Sequence, residues 1–253
     1  MIHIQSDRDR TRPHHFDCSC AMWGAIESGL DYRLTSFEEV ESGKFDAHIR
    51  TSLFVGSVEF MREVFKRIGL MDVRLPFNSD RPCEIITLEE AHKRVANGEK
   101  LFIKPVQTKL FTGLVLDGCV YSCLKNLPPD TKVMAYEPFP TKIISEWRLY
   151  VHKNKVVDAR NYSGDFSKIP SIQYFNDILR IGKESPEKIS FAVKDLPCAY
   201  TIDVGILGGG VYDGINVIVE LNDFFAIGCY GIENSRYLKM LTDRYFEIVH
   251  TND

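Results

Sequence analysis

The sequence predicts an α+β protein in which a small α/β lobe precedes a larger region rich in β-strands. From Ile2 to about Leu75, short apolar runs typical of strands alternate with runs that have the 3.6-residue period of helices. Beyond Leu101, β-branched and aromatic runs follow one another and are separated by tight turns. With 253 residues, 44% of them hydrophobic, the chain can bury one large core or two modest ones.

Charge and composition exclude several classes of protein. The formal net charge is −4, so no general attraction to a nucleic-acid backbone is expected. No apolar run approaches the roughly 20 residues that cross a bilayer, and the N-terminal "MIHIQSDRDRTRPHHF" is too polar for a signal peptide. The seven cysteines, an odd number, form no paired framework. We therefore expect a reduced, cytoplasmic protein that binds neither membranes nor nucleic acid.

The first lobe is clearest in "TSLFVGSVEFMREVFKRIGL". Ser52–Val55 is typical of a strand, Ser57 of the N-cap of a helix, and Gly69 of its stop. The segment Arg74–Pro82 concentrates turn formers and predicts a crossing to the next lobe. We therefore place the N-terminal lobe in residues 1–80.

A histidine- and cysteine-rich stretch near the N-terminus, "HHFDCSC", raises the alternative of a zinc site. The spacing of His14, His15, Cys18 and Cys20 fits none of the common structural zinc patterns. We therefore expect a helix with buried thiols there.

The second region begins with a short predicted helix, "TLEEAHKRVANGE". Thr87 is the predicted N-cap, and Glu90, three residues later, completes a predicted capping box. Predicted strands follow in "KLFIKP", "GLVLDGCVYS" with an Asp117-Gly118 hairpin signal, "KVMAYEPF", and "SEWRLYVHKNKVVDARNYSG" with a turn near Lys153-Asn154. A helix in "SPEKISFAVKDL", strands in "AYTIDVGIL" and "INVIVELN", and a final helix in "SRYLKMLTDRYFEIV" complete the chain.

Three polar side chains fall on the last two predicted strands. Side chains alternate across a strand, so Glu220 and Asn222 share one face of theirs. Asp203 lies on the preceding strand and is opposite or diagonal to Glu220 if the two strands form a hairpin. A divalent cation relieves the repulsion between converging carboxylates, and carboxylate and amide oxygens suit Mg²⁺ or Mn²⁺. The alternatives are that these residues face solvent or that Asp203 pairs with a lysine.

Cationic side chains occupy earlier predicted strands. Lys104 ends an apolar strand before Pro105, where its ammonium either holds a phosphate or extends into solvent. Glu146 and Arg148 share a strand face, and Arg160 follows on the next strand. Two arginines exceed the one carboxylate of Glu146, which leaves room for a phosphate or a substrate carboxylate.

Six segments occur in an order that is informative as a set. They are "FIKP", "MAYEPF", "SEWRLYV", "VDARNYSG", "YTIDVG" and "VIVELNDFFAIGCYG". Together they resemble the ATP-grasp superfamily, particularly the clade named for its two arginines and one lysine. The resemblance runs from about Leu101 to Tyr237. In addition, "LFVGSVEFMREVFKRIG" is similar to the N-terminal lobe that precedes the grasp in that clade.

The resemblance implies an α+β, ATP-grasp fold, in which two α+β lobes clasp a nucleotide, preceded by the small α/β lobe of residues 1–80. The ATP-grasp domain is then residues 81–253, with a nucleotide-binding subdomain at about 83–137 and a catalytic, metal-binding subdomain at about 138–253. The implied activity is that of an ATP- and Mg²⁺-dependent carboxylate–amine ligase that works through an acyl phosphate. Its carboxylate and amine are expected on an amino acid, a peptide or a protein.

The resemblance also implies roles for individual residues. Lys104 is expected to bind the α- and β-phosphates, and Glu146 the ribose hydroxyls. Arg148 and Arg160 are expected to hold the γ-phosphate or the acceptor carboxylate. The main chain at Ala135, Tyr136, Glu137 and Phe139 is expected to receive the adenine edge, and Asp203, Glu220 and Asn222 are expected to bind the metal.

One departure from the family pattern concerns the loop after the phosphate lysine. Classical members have a glycine-rich loop there, whereas "PVQTKLFTG" has only Gly113 and offers Lys109. Lys109 is either a phosphate-binding charge or a solvated side chain. The cover over the acyl phosphate is expected at Gly164–Ile178, which is otherwise an ordinary connection with a buried aromatic cluster.

Two other activities are compatible with the same nucleotide clasp. One is an ATP-dependent kinase that transfers phosphate to a hydroxyl, and the other is a nucleotide-binding protein without turnover. The presence of Asp203, Glu220 and Asn222 favours an active enzyme.

Overall fold

The computed structural model describes residues 1–71, 73, 83–107, 110–119, 121–184 and 196–250. Strands in these residues form one three-stranded and two four-stranded sheets. The predicted crossing at Arg74–Pro82, Lys109 and the predicted helix of Ser185–Leu196, apart from Leu196 itself, lie outside the described residues. No helix in the described part of the chain combines the length and apolar character that a bilayer span requires.

The N-terminal lobe is the small α/β layer that the sequence predicts. Its elements are β1 (Ile2–Gln5), α1 (Phe16–Glu27), β2 (Tyr32–Thr35), α2 (Phe37–Glu41), β3 (Leu53–Val55) and α3 (Val58–Arg67). The strands are parallel in the order β2-β1-β3, and Ile2 pairs with both Tyr32 and Leu53. The helices therefore serve as crossovers between parallel strands.

Local signals mark the start and the end of helix α3 as predicted. The Ser57 hydroxyl accepts a hydrogen bond from the Phe60 amide, and Gly69 has a φ of 81°, which favours glycine after a helix. On α1 the thiols of Cys18 and Cys20 are buried, as expected.

The next sheet is antiparallel and, with its helix, is referred to as the small lobe (residues 83–136). Its elements are β4 (Cys83–Thr87), α4 (Leu88–Ala96), β5 (Leu101–Pro105), β6 (Leu114–Leu116) and β7 (Lys132–Tyr136). The strand order is β4-β7-β5-β6. At the start of α4 the Thr87 hydroxyl accepts from the Glu90 amide, which is half of the predicted capping box, whereas Ser36 and Glu39 form a complete box at α2.

The predicted hairpin at Asp117-Gly118 is wrong. Strand β6 pairs with β5, and the described residues after Leu116 form turns. The Asp117 carboxylate accepts hydrogen bonds from the Cys119 amide and the Tyr121 hydroxyl, so this side chain stabilises a local turn instead of a strand connection.

The third sheet, called the large sheet, is antiparallel in the order β11-β10-β8-β9. Its strands are β8 (Ile143–His152), β9 (Lys155–Gly164), β10 (Ala199–Leu207) and β11 (Asn216–Asp223). Lys153 and Asn154 join β8 to β9 with φ values of 51° and 61°. Positive φ at both central residues is the signature of a two-residue hairpin turn, so the turn predicted there is confirmed.

Alternation along its strands gives the large sheet two different faces. The back face carries Leu149, Ile202 and Leu221, which pack against Phe175 and Leu179. The last two residues lie on helix α5 (Ile172–Glu184). The front face carries Arg148, Asp203 and Glu220 in one row.

The position of α5 corrects the expected cover at Gly164–Ile178. Residues from Ile172 onward are the first turns of α5, and Phe175 is buried on the back face of the large sheet. The alternative of an ordinary connection with a buried aromatic cluster is also wrong for this part of the segment, since it is helical and Tyr174 is half exposed.

The N-terminal lobe and the large sheet share one hydrophobic core, whereas the small lobe has its own. The shared core is organised by the C-terminal helix α6 (Asn234–His250), whose Tyr245 ring lies 6.3 Å from that of Phe54. The Phe65 and Phe225 rings meet edge to face at 5.4 Å. Rings in this geometry contribute beyond the apolar area that they bury.

Replacement of Gly24 by alanine is expected to destabilise the protein by about 1–3 kcal/mol. Helix α1 crosses α6 at Gly24, and an added Cβ would meet the Asn234 carbonyl and lie 3.0 Å from the Cβ of Leu238. The gain in helix propensity from Gly to Ala, about 1 kcal/mol, does not offset this overlap. Chemical denaturation measures the change. Ile26→Ala, at an exposed position of the same helix, serves as the control with a change within about 0.5 kcal/mol.

Candidate active site

Four charged side chains form a row across the front face of the large sheet. Arg160 pairs in register with Arg148, Arg148 with Asp203, and Asp203 with Glu220. Residues directly opposite each other in a sheet project to the same side. The hairpin that the sequence left open therefore places Asp203 opposite Glu220.

Arg148 and Asp203 make a buried bidentate pair. Nε of Arg148 donates to Oδ1 of Asp203 at 2.8 Å and Nη2 donates to Oδ2 at 2.7 Å. Their side chains are only 8% and 2% exposed. Burial raises the pKa of Asp203 to about 6 against the opposing charge of Arg148. Burial disfavours the charged form of Arg148, but hydrogen bonds to Asp203 outweigh it and raise the pKa of Arg148.

Asn222 connects the two carboxylates of the site. Its Nδ2 donates to Asp203 at 3.3 Å and to Glu220 at 3.2 Å. Burial pushes the pKa of Glu220 upward, but the nearby Lys104 ammonium prevails and holds that pKa below its ordinary value. Three oxygen-bearing side chains thus gather on one face, as the alternation along β11 predicts for Glu220 and Asn222.

Lys104 comes from the other four-stranded sheet and bridges the two. Its Nζ lies 2.6 Å from Oε2 of Glu220, although the two residues are 116 positions apart in the chain. The same ammonium lies 5.7 Å from the centre of the Phe102 ring. The lysine expected at a strand end is therefore directed at the acidic row instead of solvent.

Arg160 stands in the row but makes different contacts. Its Nε lies 2.9 Å from Asp158 Oδ1, and its Nη2 donates to Oδ2 at 3.0 Å. Arg236, at the start of α6, lies 3.3 Å from the same carboxylate. The two arginines proposed from sequence thus share a face, and they pair with different aspartates.

The residues expected around adenine and ribose lie at the end of β7 and the start of β8. Ala135 is buried opposite Ile103 of β5, and Tyr136 is opposite Phe102. Glu137 and Phe139 follow the strand directly. In β8, two positions before Arg148, Glu146 accepts a hydrogen bond from the Tyr162 hydroxyl at 3.1 Å.

Two tyrosines of this site were not singled out from the sequence. The rings of Tyr162 and Tyr230 stack at 5.5 Å, and the Arg148 guanidinium lies 5.8 Å from the first ring centre and 4.9 Å from the second. Burial raises the pKa of Tyr162, so its hydroxyl keeps the proton that it donates to Glu146. The sequence spacing of the two tyrosines does not distinguish them from other aromatic residues. Tyr230 lies between Cys229 and Gly231, at the end of a segment that carries the family resemblance.

The donor set at Asp203, Glu220 and Asn222 suits a hard divalent cation. Two opposed carboxylates supply oxygen ligands of the type that Mg²⁺ prefers, and the Asn222 amide, whose Nδ2 donates to both, carries a further oxygen of that type. The described residues contain no group of three or more His, Cys, Asp or Glu side chains arranged for a metal. A site here would therefore need oxygens from a substrate as well, which is common for Mg²⁺.

Comparisons with known proteins agree with this architecture. The family model for the ATP-grasp domain, family 2 of the clade named for two arginines and one lysine, matches residues 79–240. No curated protein matches the chain. Among solved structures, the ATP-grasp ligase PsnB complexed with precursor peptide PsnA2 and AMPPNP is 12% identical, with a TM-score of 0.52 and 96% of each chain covered.

Two further solved structures match the chain. PsnB complexed with minimal precursor is 12% identical, with a TM-score of 0.50, and the match covers 96% of this chain and 98% of that one. The D-alanine–D-alanine ligase from Bacillus anthracis complexed with ATP is 11% identical, with a TM-score of 0.46 and 100% and 98% of the chains covered. The likeness to PsnB confirms the predicted ATP-grasp fold. Because the family model spans well over half of the residues, the chain belongs to the ATP-grasp domains, in family 2 of the clade named for two arginines and one lysine.

Proposed function

We propose that this protein is an ATP- and Mg²⁺-dependent carboxylate–amine ligase that works through an acyl phosphate. The observation that carries the proposal is the convergence of opposite charges between two sheets. Lys104 from the small lobe meets Glu220 of the front face, in the row that also holds Asp203 and Arg148. A transferring phosphoryl group needs cations around it and little covalent chemistry from side chains.

Asp203, Glu220 and Asn222 are proposed to hold Mg²⁺, with Mn²⁺ as a substitute of similar ligand preference. A bound ion would supply positive charge that neutralises and orients the phosphates of ATP. The pairing of Glu220 with Lys104 keeps this carboxylate ionised and therefore ready to act as a ligand.

The nucleotide is proposed to lie between the small lobe and the front face. Lys104 binds the α- and β-phosphates. Glu146 accepts hydrogen bonds from the ribose hydroxyls, and the hydrogen bond from Tyr162 fixes its orientation. The main chain from Ala135 through Tyr136 and Glu137 to Phe139 is proposed to receive the adenine edge. This stretch contains the last two residues of β7, which pair with β5, and continues directly beyond the strand. Lys109 remains a proposed additional phosphate contact.

The arginines are proposed to act on the reacting groups. Arg148, fixed by Asp203, stabilises the charge of the γ-phosphoryl group while it passes to the substrate carboxylate. Arg160 holds the acceptor carboxylate through its guanidinium, and this carboxylate replaces Asp158 as the hydrogen-bond partner. The amine nitrogen then attacks the carbonyl carbon of the acyl phosphate. The bond from this carbon to the phosphate oxygen breaks, the nitrogen loses a proton, and the products are the amide and inorganic phosphate.

A peptide is the proposed acceptor class. The match to PsnB, whose structure holds a precursor peptide, spans 96% of this chain and includes the N-terminal lobe. Because recognition loops differ among proteins of one fold, the acceptor is identified by direct assay.

The deciding experiment measures ADP release from MgATP with pairs of carboxylates and amines, using amino acids and peptides, followed by mass analysis of the product. ADP release that requires both partners, with a product lighter by water than their sum, supports the ligase. A phosphorylated hydroxyl compound that accumulates without amine points to a kinase. Tight ATP binding without turnover over the whole panel points to a nucleotide-binding protein.

Replacement of Lys104 by methionine is expected to weaken ATP binding about tenfold. The stabilisation that saturating MgATP gives then falls by about 1.4 kcal/mol, because ligand stabilisation follows the ratio of concentration to Kd. Thermal unfolding with and without MgATP measures it. Lys93→Met is the matched control, since Lys93 pairs with Glu89 on the exposed side of α4. An unchanged ATP-induced shift in Lys104→Met would remove this lysine from the phosphate site.

A further inference from the structure

The backbone at Tyr230 is unusual for a bulky residue. Tyr230 has a φ of 41°, in the left-handed region where an L side chain crowds its own main chain. The residue is 50% exposed, so burial does not offset the strain. The next residue, Gly231, has a φ of 82° and tolerates it without penalty. The presence of a tyrosine at this strained position therefore indicates that its ring makes a contact that the protein requires.

The ring of Tyr230 contacts the central arginine of the site. The Arg148 guanidinium carbon lies 4.9 Å from its centre, within the range of a cation–π interaction. The Tyr162 ring stacks on Tyr230 at 5.5 Å with an interplanar angle of 27°. These two rings and the guanidinium form one packed group on the front face.

Gly228 makes room for this group. A Cβ at Gly228 would lie 3.2 Å from Cε2 of Tyr230 and 3.5 Å from Nη1 of Arg148. The loop after β11 therefore approaches both side chains with bare backbone. The close fit fixes the ring and the guanidinium against the same stretch of main chain.

Arg148 contacts Asp203 and Tyr230 in different ways. The pair with Asp203 uses Nε and Nη2, and Nη1 donates no hydrogen bond within the described part of the structure. Asp203 is also a proposed metal ligand, so its oxygens are shared. The contact with Tyr230 restrains the guanidinium without drawing on Asp203.

We propose that Tyr230 is a positioning residue that holds the Arg148 guanidinium so that Nη1 faces the γ-phosphate of ATP. The inference rests on the proposed function, because it takes Arg148 as a γ-phosphate ligand. It goes further by assigning the strained loop after β11 a role in distinguishing a triphosphate from a diphosphate.

The test compares the affinities of the wild type and variants for Mg-AMPPNP and Mg-ADP by calorimetry. The readout is the ratio of the two Kd values, which isolates the γ-phosphate contact and needs no turnover. Arg148→Lys, which keeps the charge beside Asp203 but lacks Nη1, should reduce the preference for Mg-AMPPNP about tenfold or more. Tyr230→Leu should reduce it about 3- to 10-fold, and Tyr230→Phe should leave it unchanged, because the ring face and not the hydroxyl makes the contact.

A fourth variant separates positioning from a structural role. Tyr230→Gly relieves the backbone strain, so its Tm should equal or exceed that of the wild type while its preference for Mg-AMPPNP falls as in Tyr230→Leu. A Tm lower by several degrees in Tyr230→Gly would assign the ring to stability and overturn the proposal. A loss in Tyr230→Phe equal to that in Tyr230→Leu would also overturn it, since the hydroxyl would then be the active group.

The outcomes separate this inference from the proposed function. If the wild type binds neither nucleotide, or if Arg148→Lys keeps the full preference, the nucleotide site or the role of Arg148 is wrong and the inference falls with it. If Arg148→Lys loses the preference while Tyr230→Leu keeps it, the role of Arg148 stands and the positioning role of Tyr230 is overturned.

Discussion

Replacement of Glu220 by glutamine is expected to lower ADP release from MgATP at least about 100-fold while the fold remains intact. Glutamine keeps the size of the side chain but removes the charge that pairs with Lys104 and that is proposed to bind Mg²⁺. The lost ion pair alone has a small effect on stability, because the Glu220 side chain is 36% exposed and solvent screens the interaction. Activity and stability should therefore respond very differently.

The measurement is steady-state ADP release at several Mg²⁺ concentrations, together with chemical denaturation of the same samples. Glu233→Gln is the control, since Glu233 lies before α6 with its side chain 61% exposed and pairs loosely with Arg236 at 3.7 Å. We expect wild-type rates from the control. Wild-type turnover in Glu220→Gln would remove Glu220 from the metal site.

Replacement of Arg148 by methionine is expected to destabilise the protein by about 3–5 kcal/mol, the largest effect on stability among these variants. The change leaves the Asp203 carboxylate, 2% exposed, without its bidentate partner. A buried carboxylate without a partner must either bear the cost of desolvation or take up a proton. Urea denaturation at neutral pH measures the loss.

The double replacement Arg148→Met with Asp203→Val gives the sharper result. Removal of both members of a buried ion pair is often neutral for stability, so most of the lost free energy should return. Turnover should not return, because the proposed γ-phosphate ligand and a proposed metal ligand are both missing. Arg160→Met is the control at about 1 kcal/mol or less, since its side chain is 38% exposed. Equal stability of the single and double variants would contradict the account of the pair.

Much of the site follows from the two-residue period of strands. That period places Glu220 with Asn222, and Arg148 with Glu146, before any contact is known. The register between strands does not follow from it, because pairing depends on contacts between distant segments. Only the structure places Arg148 opposite Asp203 and brings Lys104 across to Glu220.

The errors also have physical causes. Helix α5 was missed although Ile172, Phe175 and Leu179 recur at helical spacing, because the glycine and proline just before it suggested irregular structure. Tyr162 and Tyr230 were missed because their roles depend on ring orientation and on one residue with positive φ. A pattern of residue types carries no information on either.

The separate core of the small lobe has a mechanical consequence. Its strands and helix pack chiefly on one another and come from a single stretch of chain, whereas the N-terminal lobe and the large sheet interlock through α6. Among the described residues, the small lobe is therefore a hydrophobic unit of its own, and the ion pair of Lys104 with Glu220 connects it to the large sheet. A rigid-body rotation of the small lobe would break this ion pair before it disturbed the packing inside either hydrophobic core.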